Sequence, residues 1–357
     1  MLPNAGSASQ PAAARGACII APVNAGGTTG RFAATAVVLA GLAFLALGAG
    51  RYPLPFGDVV AALWHHGEGA GNDSAAQAIV WGLRLPRVAV AMLTGSALAA
   101  AGAAYQHLFR NPLVAPDTLG VSSGAALGAI IAILLGAGSA GVALAAFAGG
   151  IVAVAAVLLI ASRLTAHDPL VTLILTGIVV ASLLGAGLSL LKYVADPYNE
   201  LPAITFWLMG SFASASGRQL AVLAPLVAIG LATLFALAWR IDLLALPDDQ
   251  ARSLGLPAAR LRVVVIGAAT LVTAASVAVG GIIGWVGLVV PHMARLVVGP
   301  SFPRLLPQAA VLGAGFVLIV DTAARSVAPI EIPPGILTAI VGTPVFIALL
   351  ARARHVY

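Results

Sequence analysis

Arg84 and Arg87 stand three residues apart in Arg84-Leu85-Pro86-Arg87, a spacing that places both side chains on one face of a helix. Two guanidiniums held together can fork onto carboxylates, so one reading of the pair is a docking point for an acidic protein partner. The other reading is a pair of interface anchors, with apolar stems and charged heads at the membrane surface. Arg325 would add a third such charge, although Asp321, four residues earlier, competes for it. His292 closes an apolar run in Pro291-His292-Met293-Ala294-Arg295 and reads as structural, while His65 and His66 are adjacent and would point apart on a helix. Neither H-E-x-x-H nor G-x-S-x-G occurs. Cys18 is the one cysteine, which leaves no intrachain disulfide and no thiolate metal cluster. Lys192, the single lysine among 18 basic residues, lies in Leu190-Leu191-Lys192-Tyr193 and not in a phosphate-cradling G-x-x-x-x-G-K loop. Hydrolytic, metal and nucleotide chemistry are all unsupported, and any ATP-driven role requires a separate ATPase.

The elements that must position these residues are membrane spans. Hydrophobic residues make up 61% of the chain and charged residues 8%, against about 25% charged in soluble domains, and mean hydropathy is +1.05. Apolar runs of roughly 18 to 24 residues are long enough to cross a bilayer as helices, and the 40 glycines suit close helix packing in lipid. Ten spans are expected, near 32–50, 88–108, 117–136, 140–162, 170–193, 218–239, 261–280, 284–298, 306–328 and 335–352. An even number puts both termini on one side. With that side cytoplasmic, Arg15, Arg31, Arg110, Arg163, Arg240, Arg252, Arg260, Arg262, Arg295, Arg304, Arg352 and Arg354 lie inside; Arg51, Arg84, Arg87, Lys192, Arg218 and Arg325 lie outside. The positive-inside bias therefore favours N-in, C-in. Residues 1–30, rich in Ala, Gly and Pro, read as a disordered cytoplasmic tail, and 31–357 as one transmembrane domain.

Between the spans, Pro55 to Trp64 reads as a short interfacial helix, with Trp64 and Trp81 at headgroup level. Residues 240–260 read as one or two short inner helices: Asp248 and Asp249 begin a turn, Arg252 follows, and Gly255 and Pro257 stop it. Pro112 and Pro116 bracket a rigid turn after Asn111, and Asp117 or Thr118 can cap the span that follows. Phe206, Trp207 and Met209 suit either the mouth of a pathway or an aromatic belt. Every charged residue falls at or near a span end, whereas ion-coupled carriers place charge mid-membrane. That disfavours a secondary transporter.

Several of these segments together resemble one family. They are Arg84 to Arg87; Gly95 to Gly102; Arg110-Asn111-Pro112-Leu113 through Gly120-Val121-Ser122-Ser123-Gly124-Ala125; Trp207 to Ser211; Gln250 to Gly255; Gly284 to His292; Leu305-Leu306-Pro307; and Asp321 to Arg325. In this order they resemble the FecCD-type permeases, the membrane subunits of ABC importers for iron chelates, haem and vitamin B12. The resemblance runs from about residue 30 to 354. It implies an all-α polytopic fold of ten transmembrane helices (the type II ABC importer permease fold). It further implies a permease homodimer in the bacterial inner membrane, two cytoplasmic ATPases that hold ATP-Mg, and a periplasmic binding protein. This chain itself binds no cofactor or metal on that reading. Docking arginines of the family match Arg84, Arg87 and Arg325. The ATPase-coupling segment matches Asp248, Asp249, Gln250, Ala251, Arg252, Leu254 and Gly255. A Thr-Ser cytoplasmic gate falls on Leu170 and Val171, where this chain is apolar and a hydrophobic constriction is the expected substitute. The cargo expected first is an iron complex such as a ferric siderophore, with haem or cobalamin next. A molybdate-type oxyanion and an ion-coupled secondary transporter are the alternatives.

Overall fold

A computed structural model describes residues 25–50, 52, 54–64, 73–164, 168–246 and 248–353, and every regular element among them is helical. In chain order these are α1 (Ala25–Gly48), α2 (Phe56–Trp64), α3 (Asp73–Gln77), α4 (Leu85–Leu108), α5 (Val121–Leu134), α6 (Ser139–Arg163), α7 (Pro169–Val194), α8 (Glu200–Met209), α9 (Gly217–Ala236), α10 (Ala238–Leu243), α11 (Asp248–Ser253), α12 (Ala258–Gly280), α13 (Val286–Val298), α14 (Phe302–Ser326) and α15 (Pro334–Ala353). A π-helical stretch, Ala78–Arg84, leads into α4, and a 3-10 turn, Pro116–Leu119, precedes α5. All ten segments expected to span are helical. Among the described residues, seven helical stretches are long and apolar enough to cross a membrane, and α5, α13 and the apolar part of α15 are shorter. The fold class is thus all-α and polytopic.

Local chemistry sets the boundaries. Asp168 accepts from the amides of Leu170 and Val171 at 2.9 and 3.3 Å, and Pro169 opens α7, a cap and first-turn proline in their favoured places. The carboxylate of Asp242 in α10 takes the Phe302 amide at 2.8 Å and the Ser301 hydroxyl at 3.1 Å, so a side chain 60 residues earlier caps α14. Helix α1 begins at Ala25, inside the segment expected as a tail. The cause is length: a helix end that leaves the bilayer continues into water while its backbone bonds persist. Residues 1–24 lie outside the described residues. The expected helix Pro55 to Trp64 forms as α2, and the Trp81 indole donates to the Ala62 carbonyl at 2.9 Å. Where one or two short helices are expected within 240–260, two form, α10 starting slightly earlier at Ala238 and α11 at Asp248.

Helix α4 runs through the centre, with Ala97, Ala99, Ala100, Ala101, Ala103 and Ala104 fully buried. It crosses α14 at Gly95 and α13 at Gly102. A β-carbon at Gly95 would stand 2.1 Å from the Gly313 carbonyl oxygen, and one at Gly102 would stand 2.0 Å from that of Gly287. Small residues thus set the closest backbone approaches, as expected where packing, not hydrophobic expulsion, joins helices. Helices α5 and α6 meet the same way at Gly124 and Gly149. On α7, Leu175, Val179 and Leu183 are exposed, as are Ile340 and Ile347 on α15.

Candidate functional site

Three groups of side chains are brought together, one at each end of the bundle and one near its middle. At the first end, Arg84 and Arg325 are both buried at 7% exposure. Arg84 donates to the carbonyls of Leu47, Gly48 and Tyr52, and Arg325 to those of Ala46 and Ala49. Ala46, Leu47 and Gly48 are in the last turn of α1, whose carbonyls have no partner within the helix and carry its partial negative charge, and Ala49 and Tyr52 follow just beyond it. The expectation that Arg84 and Arg87 project together into external solvent is corrected here: an orphaned helix end nearby offers Arg84 acceptors that sequence spacing does not reveal. Arg87 forks onto Asp321, with Nε to Oδ1 and Oδ2 at 3.0 and 3.1 Å and Nη2 to Oδ1 at 2.7 Å, and also reaches Glu331. Asp321 is wholly buried, and Arg325 stands 3.6 Å from it. The expected competition for Arg325 therefore resolves in favour of an Arg87–Asp321 pair. Three arginines against two carboxylates leave one positive charge in excess.

At the opposite end, Arg110 donates to the Leu244 carbonyl at 3.1 and 2.9 Å and to that of Leu246. It thereby ties the turn after α4 to the strip of chain between α10 and α11. Helix α11 contains Asp248, Asp249, Gln250, Ala251 and Arg252; Ala251 is buried, Leu254 beyond it is exposed, and Gly255 turns the chain at a φ of 75°. Gln106 knits the same end from within, donating to the carbonyls of Gly287 and Leu288 at 3.1 and 3.2 Å while accepting from Arg295 at 2.7 Å. The sequence marks Arg110 as a topological charge and as the start of the family-like Arg110-Asn111-Pro112-Leu113 run, without its acceptors, and gives Gln106 no role. A basic residue directly before Asn111-Pro112 was the available signal for the first, and nothing marked the second.

Of the two expected gate residues, Leu170 packs against the core and Val171 is exposed, both on the first turn of α7. Nearer the middle, the turn Pro116–Leu119 is wedged between α7 and α13. The Thr118 carbonyl oxygen would stand 2.3 Å from a β-carbon at Gly177, and Pro116 would touch one at Gly287. Asp117 on that turn is exposed in a crevice lined by Leu98, Ser122, Val277, Ile283 and Trp285. Its carboxylate accepts from the Ser122 hydroxyl. The expectation that every charge lies near a span end fails at Asp117: α5 begins inside the bundle, not at its edge. Trp285 holds a φ of 70°, a left-handed conformation costly for a bulky side chain. A β-carbon at Gly342 of α15 would stand 2.7 Å from the Trp285 β-carbon, and the indole meets Phe346 edge-on at 6.1 Å. Phe206 and Trp207 line a separate cleft of about 630 Å³ beside α6 and α9. Among the described residues, no group of three or more His, Cys, Asp or Glu could hold a metal ion.

The model of the FecCD transport family matches residues 37–352. A molybdate import system permease protein of Haemophilus influenzae is 38% identical over 88% of this chain and 93% of its own length. A cobalamin import system permease protein of Halobacterium salinarum is 42% identical over 80% of this chain and 76% of its own. Among solved structures, a chain from a metal-chelate type ABC transporter in an inward-facing conformation superposes with a TM-score of 0.83. It is 36% identical and covers 91% of this chain and 99% of that one.

Proposed function

The chain belongs to the FecCD transport family, and from that premise we propose that it carries an iron complex, a ferric siderophore first among them, from periplasm to cytoplasm by alternating access. At the coarser level it is the membrane permease subunit of an ABC importer. The observation that carries the finer reading is the likeness to a metal-chelate type transporter along nearly the whole of both chains. A homodimer in the bacterial inner membrane, with both termini cytoplasmic, suits the basic residues at the Arg110 end and the exposed apolar faces of α7 and α15. ATP hydrolysis falls to two separate subunits, since the only lysine lies within α7 and no phosphate loop exists.

On this reading a loaded binding protein docks at the Arg84 end, where the excess positive charge meets its carboxylates. Arg87 is the arginine best placed to exchange partners, because Glu331, one of its two acceptors, is partly exposed. Closure of the ATPases would then push on Asp248 to Gly255. Arg110 offers the route inward, since it holds the carbonyls just before α11 at one end and leads through Asn111 to the Asp117 turn at the other. Leu170 and Val171 stand on the first turn of α7, where an apolar constriction would close the inner mouth.

A second reading, an oxyanion importer, is favoured by the molybdate permease among the relatives. Uptake separates the two. A strain lacking the gene should lose accumulation of one labelled ferric siderophore, haem or cobalamin, with molybdate unaffected, and plasmid-borne wild type should restore it. Loss of molybdate uptake alone would establish the second reading. Transport by the purified chain in vesicles without ATP or partner subunits would refute both.

A further inference from the structure

Asp117 is a carboxylate exposed deep in the bundle. It lies level with Gly177, roughly 12 Å along α7 from its start, and beside Leu98, about 15 Å from the nearer end of α4. Ser122, itself buried, turns its hydroxyl onto the carboxylate. No ion pair to Asp117 occurs among the described residues, and the rest of the crevice wall is apolar or backbone. A bare carboxylate at this depth is expensive against lipid and is retained where water or cargo reaches it. The turn packs against α7 where Thr118 meets Gly177, and Trp285 of the crevice wall packs against Gly342 and Phe346 of α15.

We propose that Asp117 is a charge filter on the translocation passage, which passes cationic and neutral metal chelates and repels oxyanions. The proposal rests on the importer reading above and adds the charge class of its cargo. A negative charge set in low-dielectric walls concentrates cations and depletes anions around it. Ser122 positions the carboxylate and leaves its second oxygen open to the crevice. A homodimer would bring two such carboxylates to one shared passage.

The test needs no knowledge of the cargo. In full-length protein with Cys18→Ser, a single cysteine is introduced as Asp117→Cys or, with Asp117 retained, as Ser122→Cys. Each is reacted in vesicles with a cationic and an anionic water-soluble methanethiosulfonate. The cysteine at 117 should react with both reagents. The cysteine at 122 should favour the cationic reagent, and adding Asp117→Asn should lower the cation-to-anion rate ratio roughly tenfold, while Asp117→Glu preserves it. No reaction at 117 would show that water does not reach the site and would overturn the proposal. A ratio at 122 unchanged by Asp117→Asn would overturn it as well, as would no reaction at 122. Because these rates do not depend on transport, failure here is distinct from failure of the importer reading, which ATP-dependent uptake decides.

Discussion

Arg87 neutralises Asp321, which is wholly buried, and is the most exposed of the three arginines proposed to dock the binding protein, so a single substitution would confuse the two roles. Arg87→Ala should therefore cost about 3 kcal/mol by leaving a buried carboxylate unpaired, read as a drop in the detergent melting temperature. Arg87→Gln combined with Asp321→Asn replaces the pair by neutral hydrogen-bonding groups and should restore most of that loss. Uptake should stay lost in the double variant if Arg87 also receives the binding protein; uptake that returns with stability would remove the docking role. Arg84→Glu is a different case, since it would put a carboxylate among the carbonyls that end α1 and should impair assembly as well as uptake. The i, i+3 spacing of Arg84 and Arg87 was legible. Their acceptors, in α1 for one and 234 residues along the chain for the other, were not, because hydrogen-bond partners across a fold leave no periodic trace in sequence.

Elements were the most legible scale, since a run of apolar residues long enough to span dictates a helix on its own. What the run does not reveal is depth. The turn Pro116–Leu119 was read as the edge of a span, and the left-handed Gly120 instead starts α5 inside the bundle. Helix α13 is short for the same reason, beginning just after Trp285 beside the inner part of α4. Packing was partly legible, as Gly95 and Gly102 belong to a stretch singled out by family resemblance, yet only contact with Gly313 and Gly287 explains them. Gly95→Ala and Gly102→Ala should each destabilise the protein by about 1–3 kcal/mol, since a methyl group would force two backbones apart. Gly267→Ala, where a β-carbon meets nothing within 4 Å, should hold or slightly raise the melting temperature, since Ala favours helix over Gly. Equal losses at all three positions would show that the close helix crossings do not set the result.

At the scale of the whole molecule, the two polar ends must communicate across an apolar middle. Arg110, on the turn after α4, holds the carbonyls of Leu244 and Leu246 just before α11, so on the importer reading proposed above Arg110→Ala should leave ATPase co-purification intact and lower ATP-dependent uptake at least tenfold. Loss of co-purification would instead make Arg110 part of the ATPase interface. The two ends themselves were legible from charge bias, as Arg31 donates to the Val297 carbonyl at 2.7 Å at the end opposite Arg84. The clamp on α1 also has a history in time. Ala49 and Arg325 are 276 residues apart, so at ~5–20 residues per second the ribosome needs roughly 14 to 55 s to supply the second guanidinium. Arg84, 36 residues after Gly48, arrives within roughly 2 to 7 s. Helix α1 thus waits on one provisional clasp, and a nascent chain released before Arg325 would offer quality-control proteases an unfastened end.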